Sequence, residues 1–254
     1  MLTFLADATV MVQALSMDFS KNTPLQSITL YLFFAGTVAM GAGALYFFLL
    51  RNNVEPVYRS TMVVAGLVCA IACFHYFKMT HVYQESGGKD FPTALRYVDW
   101  LFTTPLLLIK FPLLLRMGDR GTKFFLQLVV LDVAMIVTAF IAETSEVNSE
   151  RWWTFFLVAC VCEALIVGVL FMSLGQAITE APAPLARSLE TMRLFILIGW
   201  AVYPIGFLMA RSGNGEFREI VYNISDVINK VGFGLVAYHG IQAMSHSQES
   251  HGRA

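Results

Sequence analysis

Residues 96–115 read "RYVDWLFTTPLLLIKFPLLL". A bilayer core about 30 Å thick is crossed by roughly 20 apolar residues in a helix, and this run has that length and character. It nevertheless contains Arg96, Asp99 and Lys110. A charge at the middle of a membrane helix costs about 3 kcal/mol even on the lenient insertion scale. The stretch is therefore either not a membrane span or a span whose charges are used.

Composition favours the span. Of 254 residues, 57% are hydrophobic and only 14% charged, with 21 Phe. A soluble domain carries close to a quarter charged residues. The formal net charge of -1 gives no sign of a polyanionic partner, so nucleic acid is set aside. Neither a phosphate-binding glycine loop nor a zinc-type histidine pattern occurs, and no metal site is expected. Cys69, Cys73, Cys160 and Cys162 all lie within apolar runs and read as reduced core residues.

Apolar runs long enough to cross a bilayer fall near 27–50, 60–80, 94–116, 122–142, 152–174, 187–209 and 219–243. The breaks between them carry turn residues, as in "RNNVEP", "SGGKDFP" and "RSGNGE". The fold expected is an all-α membrane protein, a seven-transmembrane-helix bundle forming one domain over 27–243. Residues 1–26 are expected to be an extracellular amphipathic lead-in, and 244–254 a cytoplasmic tail. Arg51, Arg59, Arg116, Arg120, Lys123 and Arg187 share one side, whereas Glu143, Glu146, Glu150, Glu216 and Glu219 share the other. The positive-inside rule then puts the C-terminus in the cytoplasm, in a multi-pass protein of the plasma or inner membrane with lipid around it.

Inside the spans stand Arg96, Asp99, Lys110, Asp132, Glu163, Asp226 and Lys230. Intramembrane ionisable residues are candidate functional groups. Asp99 and Thr103 lie one turn apart on one face, and Lys110 returns to nearly that face ~16 Å further along the axis. Asp226 and Lys230 are similarly one turn apart in the last span, near mid-bilayer. They could be a structural ion pair. A lysine at that depth must be paired, neutral or covalently modified. An uncharged amine is a nucleophile for an aldehyde, giving a Schiff base whose protonated form requires a counterion. Asp99 and Asp226 could serve.

Trp100 and Trp200 lie within spans, whereas Trp152 and Trp153 stand at a span entrance, where interfacial aromatic residues belong. In "GWAVYPIG", Tyr203 is a turn from Trp200 and Pro204 would kink the helix. Such rings are ordinary core material, or the walls of a slot for a long, flat, apolar cofactor.

The two motifs "RYVDWLFTTPLLL" and "DVINKVGFG" resemble those of the microbial (type 1) rhodopsins, and the resemblance spans roughly residues 27–243. It implies all-trans retinal bound as a Schiff base on Lys230. It implies Asp99 as proton acceptor and counterion, Asp226 as second counterion and Arg96 on their extracellular side. Trp100, Trp200, Tyr203 and Pro204 match the pocket walls, and Asp132 and Met135 the lining near the retinal ring.

Finer features resemble the proteorhodopsin branch. His75 matches the histidine that hydrogen-bonds the acceptor aspartate, and Tyr76 a pocket tyrosine. Lys110 replaces the usual acidic cytoplasmic donor, as in a smaller subgroup of proton pumps. Asp, Thr and Lys at 99, 103 and 110 imply outward proton pumping. Chloride pumps lack the acid at 99, and sodium pumps carry Asn, Asp and Gln at these places. Glu163 departs from the apolar or aromatic residue usual near the ring. Ala159 replaces a glycine that in some relatives opens a window for a carotenoid antenna, so none is expected. The first helix lacks the tryptophan with which relatives reach a neighbouring protomer's histidine; a homo-oligomer remains the expectation. The protein is thus expected to be a light-driven ion transporter rather than an enzyme. A photoreceptor signalling through a membrane partner and a light-gated channel are the alternatives.

Overall fold

The structure, a computed structural model, describes residues 22–251. Most of the expected lead-in over 1–26, and the last three residues of the tail, lie outside the described residues. Seven helices follow one another. Helix α1 is Pro24–Leu50, α2 is Arg59–Glu85, and α3 is Thr93–Leu108 continued by Lys110–Leu114. Helix α4 is Gly118–Glu143 and α5 is Glu150–Thr179. Helix α6 runs through Ala183–Leu194, a π turn at Phe195–Gly199 and Trp200–Ala210. Helix α7 runs through Gly215–Val227, a π turn at Ile228–Gly232 and Phe233–His251. No strand occurs among the described residues.

Local sequence accounts for the starts and interruptions. Thr23 opens α1 with a capping box, its hydroxyl accepting from the Gln26 N–H at 3.2 Å while Gln26 Oε1 accepts from the Thr23 N–H at 2.9 Å. Pro24 follows at the first helical position, where its missing donor is harmless. Ser149 caps α5 by accepting from the Trp152 N–H at 3.1 Å. Helix α3 does not run unbroken over 94–116 as its apolarity suggests. It is interrupted at Ile109 because Pro112 has no N–H to offer the Leu108 carbonyl. The last helix continues to His251 rather than ending at 243, since no Gly or Pro stands between Ile241 and His251 to stop it.

Six helices are long and apolar enough to cross a membrane by length and composition. The seventh, α7, is more polar because it carries Arg218, Glu219, Asp226 and Lys230, all buried. The outward faces are apolar: Leu49, Val130 and Met172 are among the most exposed side chains. A soluble bundle would bury such residues, whereas one in lipid presents them to the acyl chains. Of the buried charged groups, α3 and α7 carry most.

Candidate functional site

One turn of α7 sets the centre. Asp226 and Lys230 project from the same face, and Lys230 Nζ lies 3.0 Å from Asp226 Oδ2. From α3, Asp99 Oδ2 approaches the same nitrogen to 3.1 Å. All three side chains are essentially excluded from solvent. One buried cation between two carboxylates is a charge arrangement that holds a proton and offers it two destinations.

The two acids are solvated very differently. Asp226 accepts from the Tyr203 hydroxyl at 2.6 Å, the Tyr76 hydroxyl at 2.9 Å and the Trp100 indole N–H at 3.2 Å, with an Arg96 guanidinium N–H at 3.5 Å. These donors come from α2, α3 and α6, so Asp226 also ties the bundle together. Lys230 Nζ apart, nothing among the described residues donates to either oxygen of Asp99. Thr103 does not reach it: its hydroxyl donates to the backbone carbonyl of Asp99 at 2.8 Å. His75 is close but differently engaged from what its motif implies. Its Nδ1 lies 2.9 Å from the Ile71 carbonyl and 3.6 Å from Asp99 Oδ1, beyond hydrogen-bonding range. A helical histidine finds the carbonyl four residues back without leaving its own helix, and His239 does the same with Leu235.

Arg96 stands one turn from Asp99. Its Nη2 donates to Glu219 Oε2 at 2.6 Å and to Asn223 Oδ1 at 2.8 Å, and its Nη1 to the Tyr76 hydroxyl at 3.3 Å. Glu219 in turn accepts from Arg218 Nε at 3.1 Å, and Arg218 Nη1 reaches Glu143 Oε1 at 2.6 Å. Glu219, Asn223 and Arg218 were not singled out from the sequence. Their signal was present: positions 219, 223, 226 and 230 recur at helical spacing and form one polar stripe on α7.

Beside Lys230 an apolar cavity runs between α3, α4, α5 and α6. Lys230 lines it, with Trp100, Trp200, Tyr203 and Pro204 among its walls, Leu107 from α3 and Met135 from α4, and Glu163, Ala159 and Cys160 from α5. The space not filled by atoms is about 730 Å³, counting what opens to the surroundings. A long apolar group joined to Lys230 Nζ fits a slot with aromatic walls, a lysine at its side and few polar atoms. Tyr76 and Asp132 stand outside the lining. Tyr76 serves Asp226, and Asp132 Oδ2 lies 2.8 Å from the hydroxyl of Thr104, which does line the cavity. The Glu163 carboxyl, half-buried, has no hydrogen-bond partner among the described residues.

Lys110 is remote from this cluster. It is fully buried, its Nζ meets no hydrogen-bond acceptor, and it lies 5.0 Å from the centre of the Phe233 ring. The two π turns face each other near Lys230, with Asn229 Nδ2 donating to the Gly199 carbonyl at 3.0 Å and to the Tyr203 hydroxyl at 3.3 Å.

Residues 27–244 match the family described as bacteriorhodopsin-like protein. The green-light absorbing proteorhodopsin of Gamma-proteobacterium EBAC31A08 is 32% identical over 213 residues, covering 82% of this chain and 84% of its own. The bacteriorhodopsin of Halobacterium salinarum is 33% identical, covering 79% of both chains. Among solved structures, the Exiguobacterium sibiricum rhodopsin superposes with a TM-score of 0.82 at 42% identity, covering 89% of this chain and all of its own. Xanthorhodopsin, described as a light-driven ion pump with dual chromophore, gives 0.82 at 30% identity, covering 90% and 98%.

Proposed function

The chain belongs to the bacteriorhodopsin-like family, the microbial rhodopsins, and from that membership we propose that it is a light-driven pump carrying protons outward across the membrane. Retinal, held through Lys230 Nζ in the aromatic slot, supplies light absorption and a change of shape. The chain's own groups supply the direction of proton movement.

The unequal solvation of the two central acids carries this reading. Asp226 is surrounded by donors, so a proton placed on it would have to displace hydrogen bonds that its charged form receives. Asp99 has no such donors and lies as close to Lys230 Nζ. It is the destination for the proton that Lys230 Nζ gives up, while Asp226 stays charged and holds Arg96, Tyr76, Tyr203 and Trp100 in register. Lys110 then reloads Lys230 Nζ from the other side. No acceptor compensates an ammonium ion at Lys110 in the resting protein, so Lys110 acquires its proton only when the cytoplasmic half admits water. Access must switch between the two halves for transport to have a direction. In this orientation Glu143 faces the exterior and Lys110 the cytoplasmic half, with the C-terminus in the cytoplasm. The assignment of Asp99 as acceptor, Lys110 as donor, and Asp226, Arg96, Thr103 and His75 as their supporting groups belongs to this proposal.

Illumination of unbuffered cells containing the retinal-loaded protein tests it. External acidification abolished by a protonophore is the expected result. A slow photocycle with no pH change would favour a photoreceptor that signals through a partner, and light-induced currents reversing with voltage would favour a channel.

A further inference from the structure

Away from the central cavity, a second hollow lies where α3 gives way to α4. Its space not filled by atoms is about 920 Å³, counting what opens to the surroundings. Val57, Ile109, Leu113, Met117 and Phe125 make it apolar, and the polar side chains in its lining are those of Arg116 and Thr122. Pro112 and Gly121, which also line it, form a tight helix contact. A methyl group on Gly121 would meet Pro112 Cβ at 3.0 Å, so glycine lets α4 close onto the proline that interrupts α3.

Arg116 stands there at a backbone cost. The end of α3 closes as a Schellman turn, Met117 N–H donating to the Pro112 carbonyl at 3.1 Å and Arg116 N–H to the Leu113 carbonyl at 3.3 Å. The turn holds residue 116 at φ 53°, in the left-handed region where glycine is the ordinary choice. The other non-glycine residue with positive φ among the described residues is Asn148, a type whose short amide tolerates it. An arginine kept in so disfavoured a conformation is a functional signal. Arg116 is exposed, and its guanidinium forms no ion pair or side-chain hydrogen bond among the described residues. Exposed Arg59, Arg120 and Lys123 stand within two residues of lining positions, against exposed Glu55 and Asp119. Glu55 is partly engaged, accepting from Ser245 Oγ at 3.1 Å. The rim is therefore cationic around an apolar trough, at the level where the spans Thr93–Leu114 and Gly118–Glu143 end and begin.

We propose that this groove is a binding site for one anionic phospholipid, its acyl chain along Ile109, Leu113 and Phe125 and its headgroup phosphate on Arg116. Charge complementarity and the level of the groove select that occupant. A zwitterionic lipid brings an ammonium ion to the same cationic rim, and a soluble phosphate leaves the trough uncovered. Guanidinium–phosphate hydrogen bonds are charge-assisted and can be bidentate. The site is independent of the direction of pumping. Because Leu113 lines the groove, the lipid packs against the segment Lys110–Leu114 that carries the proposed donor.

Native mass spectrometry of the retinal-loaded protein, titrated in detergent with phosphatidylglycerol or phosphatidylcholine, tests this. The first phosphatidylglycerol should bind at least about fivefold more tightly than phosphatidylcholine, the contribution of one cation near an anionic membrane surface. Arg116→Gly should erase that preference without unfolding the protein, because glycine suits the turn. Thr122→Trp, which fills the trough and keeps the guanidinium, should weaken phosphatidylglycerol by at least as much. Arg187→Gln, which removes an exposed cation outside the groove, should leave the preference unchanged. A phosphatidylglycerol with a photoreactive group in its acyl chain should label the segment 109–125 of the unmodified protein. A preference that survives Arg116→Gly or Thr122→Trp, or that is lost equally in Arg187→Gln, would overturn the site. So would displacement of the lipid by soluble glycerol phosphate at matched concentration, which would reduce it to a headgroup contact. If Thr122→Trp does not fold, labelling confined to segments other than 109–125 overturns the proposal instead.

Discussion

Replacing Lys110 with Met should make the resting protein more stable and the pump much slower. The Lys110 amine is fully buried without an acceptor, and its contact with the Phe233 ring at 5.0 Å is the only favourable polar interaction it makes among the described residues. An unpaired buried polar group costs about 1–3 kcal/mol by mutational measures. A ring contact returns about 0.5–1 kcal/mol, and only when the amine is charged. Methionine nearly matches lysine in length and flexibility, fills the same space and has no amine to desolvate. The resting amine is uncharged in the proposed cycle, so the ring contact returns nothing and the difference favours the variant by about 1–3 kcal/mol. A chain of this size gains roughly 2–4 °C in midpoint temperature per kcal/mol, so thermal bleaching should move up by several degrees. Reloading of Lys230 Nζ should slow by about a hundredfold or more, the contribution of a positioned proton-transfer group. In the unmodified protein, uptake from the cytoplasmic side should precede or coincide with that reloading and slow as bulk pH rises. Thermal bleaching and flash photolysis with an indicator dye read the two effects separately. A variant that bleaches at a lower temperature and recovers at the unmodified rate would show that Lys110 is a packing residue, and the reasoning would fail.

Lys230→Ala should give a colourless protein after retinal is added and washed away, and visible absorbance that survives washing would refute the attachment site. Asp99→Asn should redden the absorption and abolish light-driven acidification while leaving the fold intact, as measured by absorption and by cell-suspension pH. Asp226→Ala should instead destabilise the protein by about 3–5 kcal/mol, the cost of breaking a buried ion pair from one side, which chemical denaturation would register. Equal losses of stability at 99 and 226 would contradict the asymmetry in their donors. Glu163→Met should shift the absorption slightly to the blue, since a polar group in the cavity lining favours charge displaced toward it; a large shift would show that the carboxyl is charged or that retinal packs elsewhere.

The helices were legible because apolar run length is a local property, and α7 was read from its run near 219–243 although it carries Arg218, Glu219, Asp226 and Lys230. The Asp99, Asp226 and Lys230 centre was legible from motifs on two helices. What could not be read was which partner each polar group takes. Glu219 and Glu143 look alike as acids near one membrane face, and only the packing of α4 against α7 separates a doubly clamped carboxylate from one with a free oxygen. The engagement of His75 is hidden for the same reason. Its motif places it beside Asp99, but the competition between that carboxylate and the Ile71 carbonyl is decided by ring orientation. The interruption at Ile109 was available from Pro112 and was outweighed by the apolarity of its surroundings.

The paired π turns have a mechanical consequence. Pro204 denies the Trp200 carbonyl its usual donor, and the π turn at Phe195–Gly199 lies immediately before it, so α6 is weakest where it passes Lys230. At that level a side-chain strut, Asn229 Nδ2 to the Gly199 carbonyl, joins α6 to α7. A methyl group at 199 would collide with the Asn229 side chain, so only glycine lets the strut close. Bending α6 at Gly199 would break that bond while Tyr203, one turn on, keeps its own bonds to Asn229 and Asp226. Amide exchange at Gly199 and Trp200 that does not rise in the light would count against this hinge. On this geometry α6 is built as a jointed lever with its fulcrum beside Lys230: torque applied there through the neighbouring Asn229 would act on the joint itself, and the Ala183–Leu194 segment would swing as one arm.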